Sequence, residues 1–359
     1  MRYVSTRGGG EPVNFSTALL RGIAPDGGLY VPEAWPRYEA RPAPGALSNV
    51  AADVIAGFVE GDALAPRLSE ITADALNFPA PLIRLRRPAT FVLELFHGPT
   101  AAFKDFGARF LAACVARIER SDNRALLILV ATSGDTGGAV AAAFHNRPGA
   151  RVSVLYPKGL VSPLQERQLT CWGGNVQAFA VEGTFDECQR IAKEAFADAE
   201  LQRAFALASA NSINVGRLLP QMSYFAATSL AIWNEQSVAP SFVIPSGNLG
   251  HATACVWARH IGLPIGEIVL AHNANRTMPD YLESGAWRPR ASVATLASAM
   301  DVGNPSNAER LRHLFPGVDE LRGAISAYAI EDEAFVKAAD GAKPKKVIVV
   351  PGRLVNVVI

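Results

Sequence analysis

The sequence has few cysteines, almost no net charge and no long hydrophobic run. Its four cysteines form no C-x-x-C pair, which favours reduced thiols in a cytoplasmic protein over a disulfide framework. No uninterrupted apolar run is longer than the seven residues of Ala125 to Ala131, whereas a membrane-spanning helix needs about 20 apolar residues. The net charge of +1 gives no field that would hold nucleic acid or an anionic membrane. The first residues lack the apolar segment of a secretory signal, so we expect none.

Metal and serine chemistry also lack their usual signatures. The six histidines have no metal-ligand spacing with one another or with cysteine, and neither H-E-x-x-H nor G-x-S-x-G occurs. These motifs place the metal ligands or the nucleophile of many hydrolases. We therefore expect no bound metal and no serine or metal hydrolase.

Lysine is scarce, and one lysine has a context that suits catalysis. The first 336 residues contain only Lys104, Lys158 and Lys193. Lysine, unlike arginine, can lose its proton and act as a nucleophilic amine, although base-composition bias also explains the scarcity. Lys104 follows a Gly-Pro-Thr turn and lies between Phe103 and Phe106. In the first turn of a helix, the helix dipole and burial would both lower its pKa.

The chain alternates predicted strands and helices after a mainly helical N-terminal region. Apolar residues make up 49% of the 359 residues, as in a folded globular protein. We predict an α/β fold with two open, mostly parallel sheets flanked by helices, because β and α segments alternate along the chain. The predicted regions are 1–80, mainly helical; 81–335, the α/β region with two lobes; and 336–359, a divergent tail.

Local patterns predict several element boundaries. Thr184 with Glu187, and Ser306 with Glu309, have the capping-box spacing that starts a helix. Two helices are predicted after glycine-rich loops, at Ala139–Asn146 and Ala252–Ile261. The predicted strands are Ala125–Ala131, Arg151–Leu155, Ser241–Pro245 and Ile268–Ala271.

The two glycine-rich loops each follow a predicted strand and open a helix, where backbone N–H groups and the helix dipole favour an anion. The loop Ser246–Gly250 has no acidic residue, so we expect its last four residues, Gly247, Asn248, Leu249 and Gly250, to hold a phosphate. The loop 132–138 contains Asp135, which would repel a phosphate. It is therefore assigned a hydroxyl or carboxylate partner, through Thr132, Ser133 and Thr136.

Two alternatives to these ligand sites stay open at this point. Ordinary helix capping, with glycines for the turns, explains either loop taken alone. A nucleotide site is less favoured, because the first loop does not read G-x-G-x-x-G and the next strand does not end in an acid.

Five motifs together resemble the threonine synthase family, which consists of pyridoxal-phosphate enzymes of the tryptophan-synthase-β-like fold. The segment Leu95-Phe-His-Gly-Pro-Thr-Ala-Ala-Phe-Lys-Asp-Phe-Gly107 is similar to the cofactor-lysine segment of that family. The resemblance runs in order over residues 1–335. The other four stretches are Ala131–Gly137, Tyr156–Gly159 with Ser162–Glu166, Asn211–Arg217, and Pro245–Gly250.

The resemblance implies a reaction and a role for each motif. The enzyme would be a carbon–oxygen lyase that converts O-phosphohomoserine and water into threonine and phosphate. Lys104 would be the catalytic residue that binds pyridoxal phosphate covalently, and Asp135 and the loop Ser246–Gly250 would also contact the cofactor. The substrate-binding residues would be Thr132, Ser133 and Thr136 for the α-carboxylate and, for the phosphate, Asn214, Arg217 and, second to these, Lys158.

The resemblance ends after Phe335 and leaves alternatives open. The family continues beyond that point with a segment that includes the partner of the cofactor's pyridine nitrogen, and this segment is expected to be missing here. The chain would be an active cytoplasmic enzyme, monomer or homodimer, or else a catalytically impaired remnant of one. Another pyridoxal-phosphate lyase of the same fold, such as a serine or threonine dehydratase, is the remaining alternative.

Overall fold

The N-terminal region combines short helices with short antiparallel strands. The computed structural model describes residues 1–39, 45–120, 124–132, 134–295, 297–329, 346–350 and 354–358. The strands pair as β1 with β2 and as β3 with β4. Only the first pair lies within residues 1–80, so the prediction of a mainly helical region there missed one small sheet. The elements in order are β1 (Tyr3–Ser5), α1 (Phe15–Arg21), β2 (Tyr30–Pro32), α2 (Leu47–Ala56), α3 (Leu68–Ala75), β3 (Leu82–Arg84) and β4 (Phe91–Leu93).

A four-stranded parallel sheet follows, and its strands have the order β7-β6-β5-β8. The predicted apolar strand is confirmed with its bounds, since β5 is Ala125–Ala131. Helices alternate with the strands, as expected of a parallel sheet covered on its faces. The elements are α4 (Lys104–Val115), β5 (Ala125–Ala131), α5 (Asp135–Phe144), β6 (Ala150–Pro157), α6 (Pro163–Thr170), β7 (Val176–Val181), α7 (Phe185–Ala197), α8 (Ala199–Ala204), β8 (Phe205–Ser209) and α9 (Val215–Leu218).

The chain divides into two compact units, Met1–Ala231 and Ile232–Ile359, with α10 (Met222–Gln236) running through the division. The second unit contains a parallel sheet of order β11-β10-β9. The prediction of two parallel sheets flanked by helices is therefore confirmed. The elements of the second unit are β9 (Phe242–Pro245), α11 (Gly250–His260), β10 (Ile268–His272), α12 (Thr277–Ser284), α13 (Ala308–Leu314), α14 (Val318–Ala324), β11 (Ser326–Ala329), β12 (Lys346–Val350) and β13 (Leu354–Val358).

Most of the predicted tail lies outside the described residues, which exclude 330–345, 351–353 and 359. Its described part is the antiparallel pair of β12 and β13. The predicted division at residues 80 and 335 stays a prediction. Within the described residues, no helix has the length and apolar character that crossing a membrane requires.

Both predicted capping boxes are wrong. Thr184 occupies the N-cap of α7 but its side chain makes no capping hydrogen bond. Helix α13 has Asn307 as its N-cap, one residue later than the predicted Ser306. A capping box does form where none was predicted, between Ser162 and Gln165 at the start of α6.

Helix α4 lies at the centre of the first unit and packs against α3, α5 and α9. Nine of its twelve residues are buried. At Gly107 the backbone of α9 comes so close that an added Cβ would lie 2.6 Å from the carbonyl oxygen of Arg217. This glycine therefore sets the distance between α4, which begins with Lys104, and the helix that carries Arg217.

We predict that Gly107→Ala destabilises the first unit by about 1–3 kcal/mol, because the new methyl group meets backbone that cannot move aside cheaply. Urea-induced unfolding measures the change. Gly138→Ala is the matched control in α5, since its Cβ would lie 3.4 Å from the Cβ of Gln168. Equal stability of the two variants would show that the α4–α9 contact is looser than described.

Candidate active site

A buried turn fixes the start of α4. Asp105 is fully buried and accepts hydrogen bonds from the backbone N–H of Thr100 at 2.9 Å and from its hydroxyl at 2.7 Å. Burial raises the pKa of Asp105, while the two bonds from Thr100 oppose that rise. A Cβ at Gly98 would lie 2.5 Å from Oδ2 of Asp105, so the turn needs glycine there. The arrangement holds the residue before Asp105, Lys104, at the first position of the helix.

Lys104 forms a largely buried ion pair with Asp135. Its Nζ lies 3.2 Å from Oδ2 of Asp135, and 11% of the lysine side chain is exposed. The same Nζ lies 4.7 Å from the centroid of the Phe103 ring. The two residues are the first residues of α4 and α5, which pack against each other. The sequence analysis identified both residues as candidates but did not predict their contact.

Gln165 completes a chain of contacts with this ion pair. Its side-chain N–H donates to Oδ1 of Asp135 at 2.9 Å, and its side-chain oxygen accepts from the N–H of Ser162 at 3.1 Å. A Cβ at Gly134 would lie 2.4 Å from the Gln165 amide nitrogen. Sequence reasoning missed Gln165, although a serine three residues before a glutamine is the capping-box pattern. The cap of α6 thus orients the carboxylate that pairs with Lys104.

Burial dominates the electrostatics of the pair. It lowers the pKa of Lys104, and Asp135 partly opposes this while Arg217 adds to it. Burial alone would raise the pKa of Asp135, but the Lys104 charge and the hydrogen bonds from Gln165 and Lys104 hold it below its usual range. The lowered lysine pKa agrees in direction with the sequence-based expectation. Removing a proton to give a nucleophilic amine therefore takes less free energy than for an exposed lysine.

The first glycine-rich loop is shaped by its own threonine. The buried Thr132 hydroxyl accepts from the N–H groups of Gly134 at 3.0 Å and Gly137 at 2.9 Å. Because these donors of the first turn are satisfied, α5 begins at Asp135 and not at the predicted Ala139. Thr136 is the second residue of α5 and is half-buried, and Ser133 lies outside the described residues.

Arg217 is the cation whose charge adds to the lowering of the Lys104 pKa. It is 2% exposed and donates from Nη1 to the carbonyl oxygen of Ala210. Among the described residues, its Nε has no hydrogen-bond partner and no carboxylate is ion-paired with it. Burial lowers its pKa to about 10, and Asp105 opposes this through its charge. A buried guanidinium without a paired carboxylate is a ready partner for an anionic ligand.

The other two phosphate candidates are engaged elsewhere. Asn214 is fully buried, accepts from the N–H of Gly216 and donates to the carbonyl oxygens of Leu19 and Ser209. Its amide therefore fixes the start of α9 and orients the helix that carries Arg217. Lys158 is exposed and paired with Glu182, which raises the pKa of the lysine. The structure does not bring Lys158 into the cluster of Lys104 and Asp135.

The second glycine-rich loop lies in the second unit, between β9 and α11. Leu249 has a left-handed backbone with φ of 60°, and α11 begins at Gly250, two residues before the predicted start. A Cβ at Gly247 would lie 2.8 Å from the Cα of Met300. Asn248 accepts at its side-chain oxygen from the N–H of Ser306, which braces the loop. The first turn of α11 has no acidic residue, so its N–H groups and dipole favour an anion.

Comparison with known proteins agrees with this chemistry. The sequence matches the family described as pyridoxal-phosphate dependent enzyme over residues 74–349 and the threonine synthase N terminus over residues 2–76. Threonine synthase from Haemophilus influenzae is 43% identical over 309 residues, which are 85% of this chain and 72% of that protein.

Two solved structures extend the likeness to the fold. The crystal structure of threonine synthase from Escherichia coli has 37% identity and a TM-score of 0.83, and the match covers 92% of this chain and 77% of that one. The pyridoxal-phosphate-bound threonine synthase from Brucella melitensis has 35% identity and the same TM-score of 0.83, with coverage of 92% and 78%.

The fold and the buried lysine define a pyridoxal-phosphate-dependent enzyme. The described residues fit that cofactor, because Lys104 offers a buried amine with a lowered pKa and the loop Ser246–Gly250 offers a helix N-terminus without acids. Within this class, the chain belongs to the threonine synthase family. The relatives that carry this name match at far higher identity than proteins of the same fold with other activities, so the dehydratase alternative is not supported.

We predict that Asp135→Asn lowers the pKa of Lys104 further, because the carboxylate that favours the ammonium form is lost. The pH dependence of Lys104 acetylation in the cofactor-free protein, followed by peptide mass spectrometry, should shift to lower pH. Glu182→Gln is the control, since it removes the partner of Lys158 and leaves Lys104 unchanged. An Asp135→Asn profile that coincides with the wild type would contradict the ion pair.

Proposed function

We propose that this chain converts O-phosphohomoserine and water into threonine and phosphate, with pyridoxal phosphate bound covalently at Lys104. The observation that carries the proposal is the buried Lys104 amine paired with Asp135 while the neighbouring buried Arg217 has no ion-paired carboxylate. The ion pair of Lys104 with Asp135 suits an amine that must gain and lose protons. The unpaired guanidinium of Arg217 suits a substrate that brings its own negative charge.

The cofactor, when bound, supplies the electron sink that makes a proton at the substrate's α-carbon removable. Once the substrate's amino group has taken its place on the cofactor, the released Lys104 Nζ would be the base that takes the proton from Cα and then moves protons at Cβ and Cγ. Asp135 holds this amine in position through the 3.2 Å contact, and Gln165 holds Asp135. With 11% of the Lys104 side chain exposed, little water competes for its proton.

The proposed phosphate assignments use two different sites. Arg217 binds the phosphate of the substrate, since its free Nε and planar fork can donate to two oxygens. Asn214 contributes by fixing α9, and Lys158 remains the second candidate. The loop Gly247–Gly250 holds the phosphate of the cofactor through its N–H groups. Thr132, Ser133 and Thr136 are proposed to meet the substrate's α-carboxylate at the start of α5.

The remaining expectations belong to the same proposal. A cytoplasmic location is supported by the free cysteines among the described residues. A monomeric or homodimeric state is part of the same proposal. The net charge of +1 supports a small-molecule substrate held by a local site and not a nucleic acid. No group of three His, Cys, Asp or Glu residues in the described part of the chain could hold a metal.

Replacing Lys104 tests the cofactor assignment. We predict that Lys104→Ala retains no pyridoxal phosphate after borohydride reduction and dialysis, because the amine that forms the covalent bond is gone. Peptide mapping of the reduced wild type should find the cofactor on Lys104. Lys193→Ala, at an exposed lysine of α7, is the control and should label like the wild type. Cofactor on another lysine would overturn the assignment, and a folded wild type that takes up none would indicate an impaired remnant.

Replacing Arg217 separates substrate binding from cofactor binding. We predict that Arg217→Gln raises KM for O-phosphohomoserine about tenfold to a hundredfold, the range expected for losing a charge-assisted hydrogen bond. The affinity for pyridoxal phosphate should change less than threefold. Phosphate release and cofactor titration measure the two effects.

Two further variants control the Arg217 experiment. Arg217→Lys keeps the charge and loses the planar fork, so its KM should lie between those of the wild type and Arg217→Gln. Lys158→Gln should leave KM unchanged, because its amine is exposed and paired with Glu182. An increase confined to Lys158→Gln would move the substrate phosphate to that lysine.

A further inference from the structure

The carboxyl end of the sheet in the second unit brings Ser246 and His272 side by side. Strands β9 and β10 are parallel, with Pro245 opposite Ala271. The N–H of Ser246 continues this ladder by donating to the carbonyl oxygen of Ala271 at 2.9 Å. Ser246 is therefore opposite His272, and because side chains alternate between the faces of a strand, the two side chains lie on the same face. Ser246 is also the first residue of the loop Ser246–Gly250.

His272 is buried without a partner for one of its ring nitrogens. The residue is 2% exposed, and among the described residues nothing is hydrogen-bonded to its Nε2. The neighbouring polar residues are satisfied, since Asn273 donates to Thr295 at 2.9 Å and to Asp301 at 2.7 Å. Buried polar atoms almost always have a partner in the functional state. The Nε2 of His272 is therefore an open position beside the loop.

The protonation state of His272 suits hydrogen-bond donation to an anion without adding charge. Burial, with a smaller effect of Arg276, lowers its pKa to about 4. At neutral pH the ring is then neutral and keeps one N–H donor. The adjoining loop and the N-terminus of α11 already favour an anion through backbone N–H groups. A phosphate has more acceptor positions than these groups alone would use.

We propose that His272 Nε2–H is a hydrogen-bond donor to the phosphate group held by the loop Ser246–Gly250. The inference rests on the proposed function, in which that loop holds the phosphate of pyridoxal phosphate. His272 is a binding residue in this role and takes no part in proton transfer at the substrate. It extends the phosphate site from the backbone of the loop to a side chain on the neighbouring strand.

The test compares cofactor affinity in two His272 variants and a matched control. His272→Leu should weaken pyridoxal phosphate binding to the cofactor-free protein about tenfold, the loss of one hydrogen bond to a charged group. His272→Gln, which keeps a donor, should stay within threefold of the wild type. His260→Leu, at the opposite end of α11, should bind like the wild type. Fluorescence quenching gives the dissociation constants, and His272→Leu with wild-type affinity would overturn the proposal.

Pyridoxal without its phosphate distinguishes a phosphate contact from a contact to the ring. His272→Leu should bind pyridoxal as the wild type does, because the lost hydrogen bond goes to the phosphate. An equal loss of affinity for both compounds would overturn the assignment. Inorganic phosphate should compete with pyridoxal phosphate more weakly in His272→Leu than in the wild type. The melting temperature of the cofactor-free His272→Leu should not fall, since the substitution removes an unpartnered buried polar atom.

A variant of the loop keeps this inference separate from the proposed function. Gly247→Ala should displace the loop, because its Cβ would lie 2.8 Å from backbone of Met300, and should weaken cofactor binding. If Gly247→Ala and His272→Leu both bind normally, the loop is not the phosphate site and the proposed assignment fails. If only His272→Leu binds normally, the loop assignment stands and the role of His272 is wrong.

One measurement follows His272 directly in the wild-type protein. In the wild type labelled with ¹⁵N-histidine, pyridoxal phosphate should shift the His272 Nε2 resonance toward that of a hydrogen-bonded N–H. Its assignment comes from the signal that disappears in His272→Gln. An unmoved resonance at full cofactor occupancy would overturn the proposal.

Discussion

The buried ion pair between Lys104 and Asp135 is the interaction on which the first unit's chemistry depends. An ammonium group taken out of water is costly unless a carboxylate and further hydrogen bonds compensate it. Asp135 provides the carboxylate at 3.2 Å, and Gln165 satisfies the second carboxylate oxygen. Around this pair, the Asp105 turn fixes where α4 begins and the capping box of α6 fixes Gln165. Local backbone motifs thus position Lys104 and Asp135, although the contact between the two residues is not part of any one motif.

The two cations at this candidate site in the first unit differ in their ion pairing. Lys104 has a paired carboxylate, whereas the more deeply buried Arg217 has none among the described residues. A structure selected for stability alone would pair both cations or replace Arg217 by an apolar side chain, since an unpaired buried charge destabilises the fold. The exception is expected at a functional site, where stability is given up for binding. Under the proposed function, the phosphate group of the substrate would supply the missing charge, and such a substrate would be favoured over a neutral analogue.

The sequence predicted strongly periodic elements and glycine-rich motifs, but not contacts made through the fold. The bounds of β5 were correct because a continuous apolar run between turn signals leaves little choice. The capping box at Ser306 and Glu309 was wrong because Asn307 is held by the carbonyl oxygen of Asn248, far away in sequence, so the helix starts after it. The pairing of Lys104 with Asp135 was not predictable either, since it needs the packing of α4 against α5.

The candidate functional groups of both units lie at helix N-termini. A lysine at such a position points to a functional role, because the helix dipole disfavours a cation there. Asp135 at the start of α5 and the acid-free loop before α11 agree with the dipole rule, because a carboxylate and a bound anion are both stabilised there. Lys104 at the start of α4 violates it, since the dipole disfavours a cation at that end. The same position that weakens the ammonium form, together with burial, favours the neutral amine. A residue unfavourable for the helix is thus favourable for the chemistry, which is why the local rule fails at this residue.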